Sequence, residues 1–124
     1  MRMPEPNAEV LARRDELVAT LRTIVPGEGV IERDEELSVY ECDGLTAYRQ
    51  KPLAAVLPET SAQIAEVLGI CRAFQAKVVP RGAGTSLSGG ALPLADGIVL
   101  GLSKFNRILE IDYANRCVVA QPGV

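Results

Sequence analysis

"PLAAVLPETSAQIAEVLGICRAFQAKVVP", Pro52 to Pro80, holds three elements in a fixed order. Its first seven residues are a continuous apolar run closed by a proline at each end, the pattern of a short strand buried on both faces. Thr60 and Gln63 stand at capping-box spacing, and Ile64, Val67, Leu68, Cys71 and Phe74 line one face of the helix that follows. "KVVP" then reads as a second short apolar strand. Strand, helix and strand in this compass form a βαβ unit, which predicts parallel strands joined by a right-handed crossover. The fold class is therefore α/β.

Upstream, Asn7 is placed to cap a helix reaching about Val25, on which Val10, Leu17, Leu21 and Ile24 repeat at helical spacing. "PGEG", Pro26 to Gly29, ends it. Asp34 to about Glu41 reads as a short polar helix with a solvated acidic face. "DGLTAYRQKP", Asp43 to Pro52, reads as irregular, with Asp43 in a structural role as a turn cap. Downstream, "GIVLGL" predicts a third strand, and "RILEID" and "RCVVAQ", separated by "YANR", predict a hairpin. The expected division is a helical segment over 1–51 and a sheet-forming part over 52–124.

The chain of 124 residues suits one compact domain, and 48% hydrophobic with 23% charged residues is the balance of a globular one. A net charge of −3, a pI near 5.0, no basic stripe and no tryptophan exclude a nucleic-acid partner. The chain has no histidine, which removes the commonest general base and the commonest metal ligand. Cys42, Cys71 and Cys117 form no CxxC pair, so neither a metal site nor a disulfide framework is expected, and reduced thiols of a cytoplasmic protein are. No signal peptide and no apolar span of about 18 residues appears.

Between the second and third strands lies "RGAGTSLSGG", Arg81 to Gly90, which supplies almost nothing to a core. A Walker A loop would need a lysine after its glycines, and none follows. The dinucleotide fingerprint starts well at Gly82 and Gly84 but meets Leu87 where its third glycine belongs. Both motifs also need a helix next, and a strand comes instead. A nest of successive backbone N–H groups needs neither helix nor lysine. Gly82 and Gly84 permit positive φ, Ala83, Thr85 and Ser86 let a ligand approach the main chain, and Arg81 brings a charge. Anion binding and a plain surface Ω-loop are the two readings left open by these residues.

"PRGAGTSLSGG" after a βαβ unit, with "YECDGLTAYR" upstream and "VVAQPGV" downstream, resembles the FAD-linked glycolate oxidase subunits. These belong to the flavoprotein superfamily of vanillyl-alcohol oxidase and D-lactate dehydrogenase. The resemblance covers nearly the whole chain and implies the first half of an FAD-binding domain, α/β here and α+β when complete. Carried over by position, Arg81, Gly82, Ala83, Gly84, Thr85 and Ser86 would line the FAD pyrophosphate. Gly89 and Gly90 would shape the return, and Pro58 would end the first strand close to the cofactor. Some relatives attach FAD through a histidine where this chain has Thr85, so non-covalent FAD is implied. Members of the family run past the position of Val124 into a second FAD subdomain, a substrate cap and catalytic histidines. The chain is accordingly expected to be an N-terminal fragment, inactive alone, with no catalytic residue of its own. In the full-length enzyme the resemblance implies oxidation of a small 2-hydroxy acid such as glycolate or D-lactate. It also implies partner glycolate oxidase subunits, an iron–sulfur subunit among them, in a cytoplasmic complex peripheral to the inner membrane. The alternative is a non-catalytic truncated product, or a module that binds another diphosphate ligand.

Overall fold

The structure, a computed structural model, describes residues 3–124. In chain order the elements are α1 (Ala8–Ala12), α2 (Arg14–Ile24), β1 (Val30–Ile31), α3 (Asp34–Leu37), β2 (Ala54–Val56), α4 (Ser61–Phe74), β3 (Lys77–Arg81), β4 (Gly97–Gly101), β5 (Ile108–Asp112) and β6 (Cys117–Ala120). β1 to β4 make one sheet in the order β1-β2-β4-β3, and β5 and β6 make the expected antiparallel hairpin. β2, β4 and β3 are parallel, as the βαβ pattern predicts. β4 inserts between the two strands that α4 connects.

Alternation along the strands divides the core into two layers. Ala54, Val56, Ile98 and Leu100 face a thick layer built by Val10, Leu17, Val18, Leu21, Val67 and Cys71 of α1, α2 and α4. Ala55 and Val99 face a thin one, formed by Leu37 with Ile31 and Tyr40. β2 is buried on both faces, as its apolar run requires. α4 starts where the capping box puts it: the Gln63 N–H donates to Thr60 Oγ1 at 3.2 Å, and Gln63 Oε1 accepts from the Glu59 N–H at 2.7 Å. Of the five residues assigned to its apolar face, Leu68 lies exposed and the others are buried or half-buried.

The first helix departs from its sequence pattern at Arg13, which separates α1 from α2. No glycine or proline marks the break. Arg13 makes one tertiary and one local contact there: its guanidinium lies 4.2 Å from the centroid of the Phe74 ring and chelates Glu16 three residues on. The segment 1–51 brings an edge strand as well as helices. β1 pairs antiparallel with β2, and at two residues it is too short for a periodicity argument to detect.

The hairpin is open on both faces. Ile108, Leu109, Ile111, Val118 and Val119 are all exposed. Its turn is held locally, with the Asn115 N–H and side-chain amide donating to Asp112.

At the N-terminal end of the sheet, Asp96 ties three segments together. It is 1% exposed and accepts from Lys77 Nζ and from the Asn7 N–H at 2.9 Å. Burial pushes its carboxyl pKa up, but the Lys77 ammonium and the surrounding N–H groups outweigh burial and hold it below the ordinary value. A depressed carboxyl stabilises the fold above the unfolded-state value, about 4, and that contribution is lost as pH falls through the lower folded-state value. Asp96→Ala is expected to cost about 1.5–3 kcal/mol at neutral pH, the range for hydrogen bonds to a charged group. Urea unfolding across pH checks this: the two proteins should converge in strong acid, and a gap that persists there would assign the effect to packing.

Candidate functional site

Parallel strands put their C-terminal ends on one edge, and in α/β sheets ligands bind outside that edge. Three segments leave β2, β3 and β4 there. Pro58 follows β2 and is fully buried, so its ring belongs to the core while its position lies on the ligand edge. Glu59, next to it, pairs with Lys104 beyond β4 at 2.7 Å. From β3 comes the glycine stretch, 82–96, with no helix or strand in it.

The loop is braced inward and open outward. Gly84 has φ +74° and Gly89 φ +76°, conformations in which glycine avoids the Cβ clash of other residues. Ser86 Oγ accepts from the Gly90 N–H at 3.2 Å and lies 3.4 Å from the Ser88 nitrogen, closing a small turn. The Leu92 N–H donates to the Gly89 carbonyl. By contrast, the N–H groups of Gly82, Ala83, Gly84, Thr85 and Ser86 meet no acceptor among the described residues. Gly82, Ala83 and Thr85 are exposed, with Gly84 and Ser86 half-buried. Five consecutive donors without an acceptor, on five residues that carry no carboxylate, suit an oxyanion.

Arg81 does not reach outward over these donors. Its guanidinium folds beneath the loop, donates to the Cys42 carbonyl at 2.7 Å, and sits 5.7 Å from the centroid of the Tyr40 ring. A side chain on Gly84 would strike that guanidinium. No carboxylate pairs with Arg81 among the described residues, so its charge stands uncompensated under the loop. Burial raises the Tyr40 phenol pKa, and the Arg81 charge opposes that rise.

Two further turns flank the loop. The Pro122 carbonyl lies 3.9 Å from where a Cβ on Gly82 would sit, and the Gly123 N–H donates to the Phe105 carbonyl at 2.7 Å. "QPGV" thus runs beside the start of the loop. On the other flank, Asp43 and Gly44 contact the loop itself. Asp43 is 4% exposed; its Oδ1 accepts from the Leu45 N–H at 2.9 Å, the turn cap its sequence position implies, and its Oδ2 lies 3.4 Å from the Ala91 nitrogen, which donates to it. The second bond is outside the reach of local sequence reasoning, because its partner is 48 residues away. The structure therefore gathers Arg81 to Gly90 as one loop, with Pro58 at the neighbouring strand end, and adds Cys42, Asp43 and Gly44.

The sequence model of the FAD binding domain family matches residues 52–124. The glycolate oxidase subunit GlcD of Escherichia coli (strain K12) is 47% identical over 111 residues, 90% of this chain and 22% of that protein. The subunit of the same name from Bacillus subtilis (strain 168) is 41% identical over 86 residues, 69% of this chain and 18% of that protein. This chain thus spans about a fifth of the length of these curated relatives. Among solved structures, p-cresol methylhydroxylase with substrate bound superposes with a TM-score of 0.83 at 24% identity, covering 96% of this chain and 24% of that one. That likeness is one of fold.

Gly84→Ala is expected to destabilise the protein by about 1–2 kcal/mol, the cost of a left-handed backbone in a residue with a Cβ. Chemical denaturation of both proteins measures it. Equal midpoints and slopes would mean that the loop does not hold Gly84 at positive φ.

Proposed function

The chain belongs to the FAD binding domain family, and from that membership we propose that it anchors FAD in a flavin-dependent 2-hydroxy-acid oxidoreductase. The row of acceptor-free N–H groups from Gly82 to Ser86, at the C-terminal edge of a parallel sheet, carries the reading. A pyrophosphate has the charge and the oxygen count to take these donors. Thr85 and Ser86 add hydroxyl groups, and Gly89 and Gly90 turn the chain back. Arg81 contributes its charge from below the loop. Pro58 fixes the neighbouring strand end.

When bound, FAD supplies the two-electron oxidation of a 2-hydroxy acid to its 2-oxo acid, and the protein's part is position and electrostatics. Residues 81–90 would hold the diphosphate by charge-assisted hydrogen bonds, each worth about 1.5–3 kcal/mol. The substrate class is taken from the glycolate oxidase subunits, with glycolate and D-lactate the candidates. Further glycolate oxidase subunits, with an iron–sulfur one among them, and a cytoplasmic location at the inner membrane belong to the same proposal. Among the described residues no helix is long and apolar enough to cross a membrane.

FAD is held without a covalent bond in this reading, since Thr85 cannot form the histidyl link and the chain has no histidine. Acid precipitation of the flavin-loaded gene product should leave all yellow colour in the supernatant, whereas flavin retained on the pellet would contradict it. Titration with FAD, followed by flavin fluorescence, tests the loop directly. Gly84→Val combines backbone strain with a side chain driven into the Arg81 guanidinium beneath the loop, and should raise the FAD dissociation constant by about tenfold or more. An unchanged constant would place the pyrophosphate elsewhere. ADP and NAD serve as comparison ligands: either one binding more tightly than FAD would make the chain a module for a different diphosphate.

A further inference from the structure

Asp43 and Asp96 are the buried carboxylates among the described residues, and they differ in one respect. Asp96 pairs with the Lys77 ammonium at 2.8 Å, while Asp43 has no cation and spends its two oxygens on the N–H groups of Leu45 and Ala91. A buried carboxylate without a counter-ion is costly unless its oxygens are satisfied. Here they are satisfied by the two segments that must stay together, the 43–45 turn and the end of the glycine loop.

Contact between these segments also sets a direction. A Cβ on Gly44 would sit 2.8 Å from the Ser86 carbonyl oxygen and 2.9 Å from that of Thr85, so both carbonyls face the Gly44 backbone. In a trans peptide the N–H points opposite to the C=O of the same unit. No cis peptide is present among the described residues. With the Thr85 and Ser86 carbonyls turned toward Gly44, the N–H groups of Ser86 and Leu87 are turned away from it. Arg81 fastens the same turn from the start of the loop, through its bond to the Cys42 carbonyl.

We propose that Asp43 is a positioning residue of the cofactor site: by clasping Ala91 it holds the loop against Gly44 and so aims the Ser86 and Leu87 N–H groups at the diphosphate. This rests on the reading of the loop as the FAD pyrophosphate site. Asp43 itself touches no ligand in this scheme.

The test uses the complete gene product with FAD as the titrant, and compares Asp43→Ala, Asp43→Asn, Gly44→Ala, Gly84→Val and Asp96→Ala. Asp43→Ala and Gly44→Ala are expected to raise the FAD dissociation constant by about 10- to 100-fold. Asp43→Asn keeps one acceptor oxygen and should fall between Asp43→Ala and the parent. Asp96→Ala removes an equally buried carboxylate at the opposite end of the sheet. It should lower the melting temperature and leave the dissociation constant within about twofold. In the apo protein, hydrogen exchange should speed up at 84–91 in Asp43→Ala while β3 and β4 keep their protection. An Asp43→Ala constant within about twofold of the parent, beside a weakened Gly84→Val, would overturn the clasp and leave the loop reading intact. Unchanged constants in all the loop and clasp variants would overturn both. Should Asp43→Ala fail to fold, Asp43→Asn and Gly44→Ala decide, and parental affinity in both counts against the clasp.

Discussion

The connection from β3 to β4 has to undo the length of a strand. The two are parallel and paired from Lys77–Gly97 to Arg81–Gly101. The chain that leaves β3 must therefore travel back about 17 Å before β4 can begin. A helix usually makes that return. Residues 82–96 make it without one, on a sequence whose glycines and single proline disfavour helix and strand alike. Peptide groups in such a stretch have no ladder and no helix to bond with. They can be satisfied by side chains, by water or by a ligand. Ser86 and Asp43 take the second half of the loop, and the first half is left with its donors open. The candidate site is thus a consequence of topology before it is a consequence of any side chain.

Its setting follows from the unequal layers of the core. The face that carries Ala54, Val56, Ile98 and Leu100 is closed by packed helices. The other face has only Leu37, Ile31 and Tyr40 over Ala55 and Val99. Tyr40 and the turn after it meet Arg81 and the glycine stretch on this thin side. The chain as a whole is acidic, with a net charge of −3, so its overall field does not draw an anion in. Attraction has to be local. In the proposed reading it would come from the open N–H groups and from a guanidinium that no carboxylate among the described residues pairs with.

Much of this was legible in the sequence wherever a single element carried its own signal. The proline-bounded run gave away β2, Thr60 and Gln63 marked the start of α4, and the glycine density marked the loop. Features set by distant partners were not legible. β1 is two residues long and exists because β2 offers it an edge. Arg13, at the break, packs on Phe74 far along the chain, and the position of β4 between β2 and β3 is a choice among topologies that local pattern does not rank. Arg81 is the sharpest case. Beside so many glycines it reads as an outward charge for a ligand, and the structure turns it inward to Cys42, 39 residues earlier. Asp43 reads as a turn cap from its position and is one, while its second oxygen carries the longer-range bond.

Those two long-range bonds bear on where the functional unit begins. Composition divides the chain near Pro52, where apolar strands replace helical and polar segments. Yet the loop after β3 is fastened at its start and near its end to residues 42 and 43, on the far side of that division. A glycine-rich segment loses much conformational freedom when it is ordered. If a ligand had to order it, that cost would come out of the binding free energy. Fixing the loop beforehand, through contacts made on folding, moves the cost to the stability of the protein, where the buried helical layer offsets it. The 40–45 segment is therefore part of the site in an energetic sense. The sheet-forming part alone would keep every residue of the glycine loop and its Ser86 turn, and lose the two bonds that fasten the loop to residues 42 and 43.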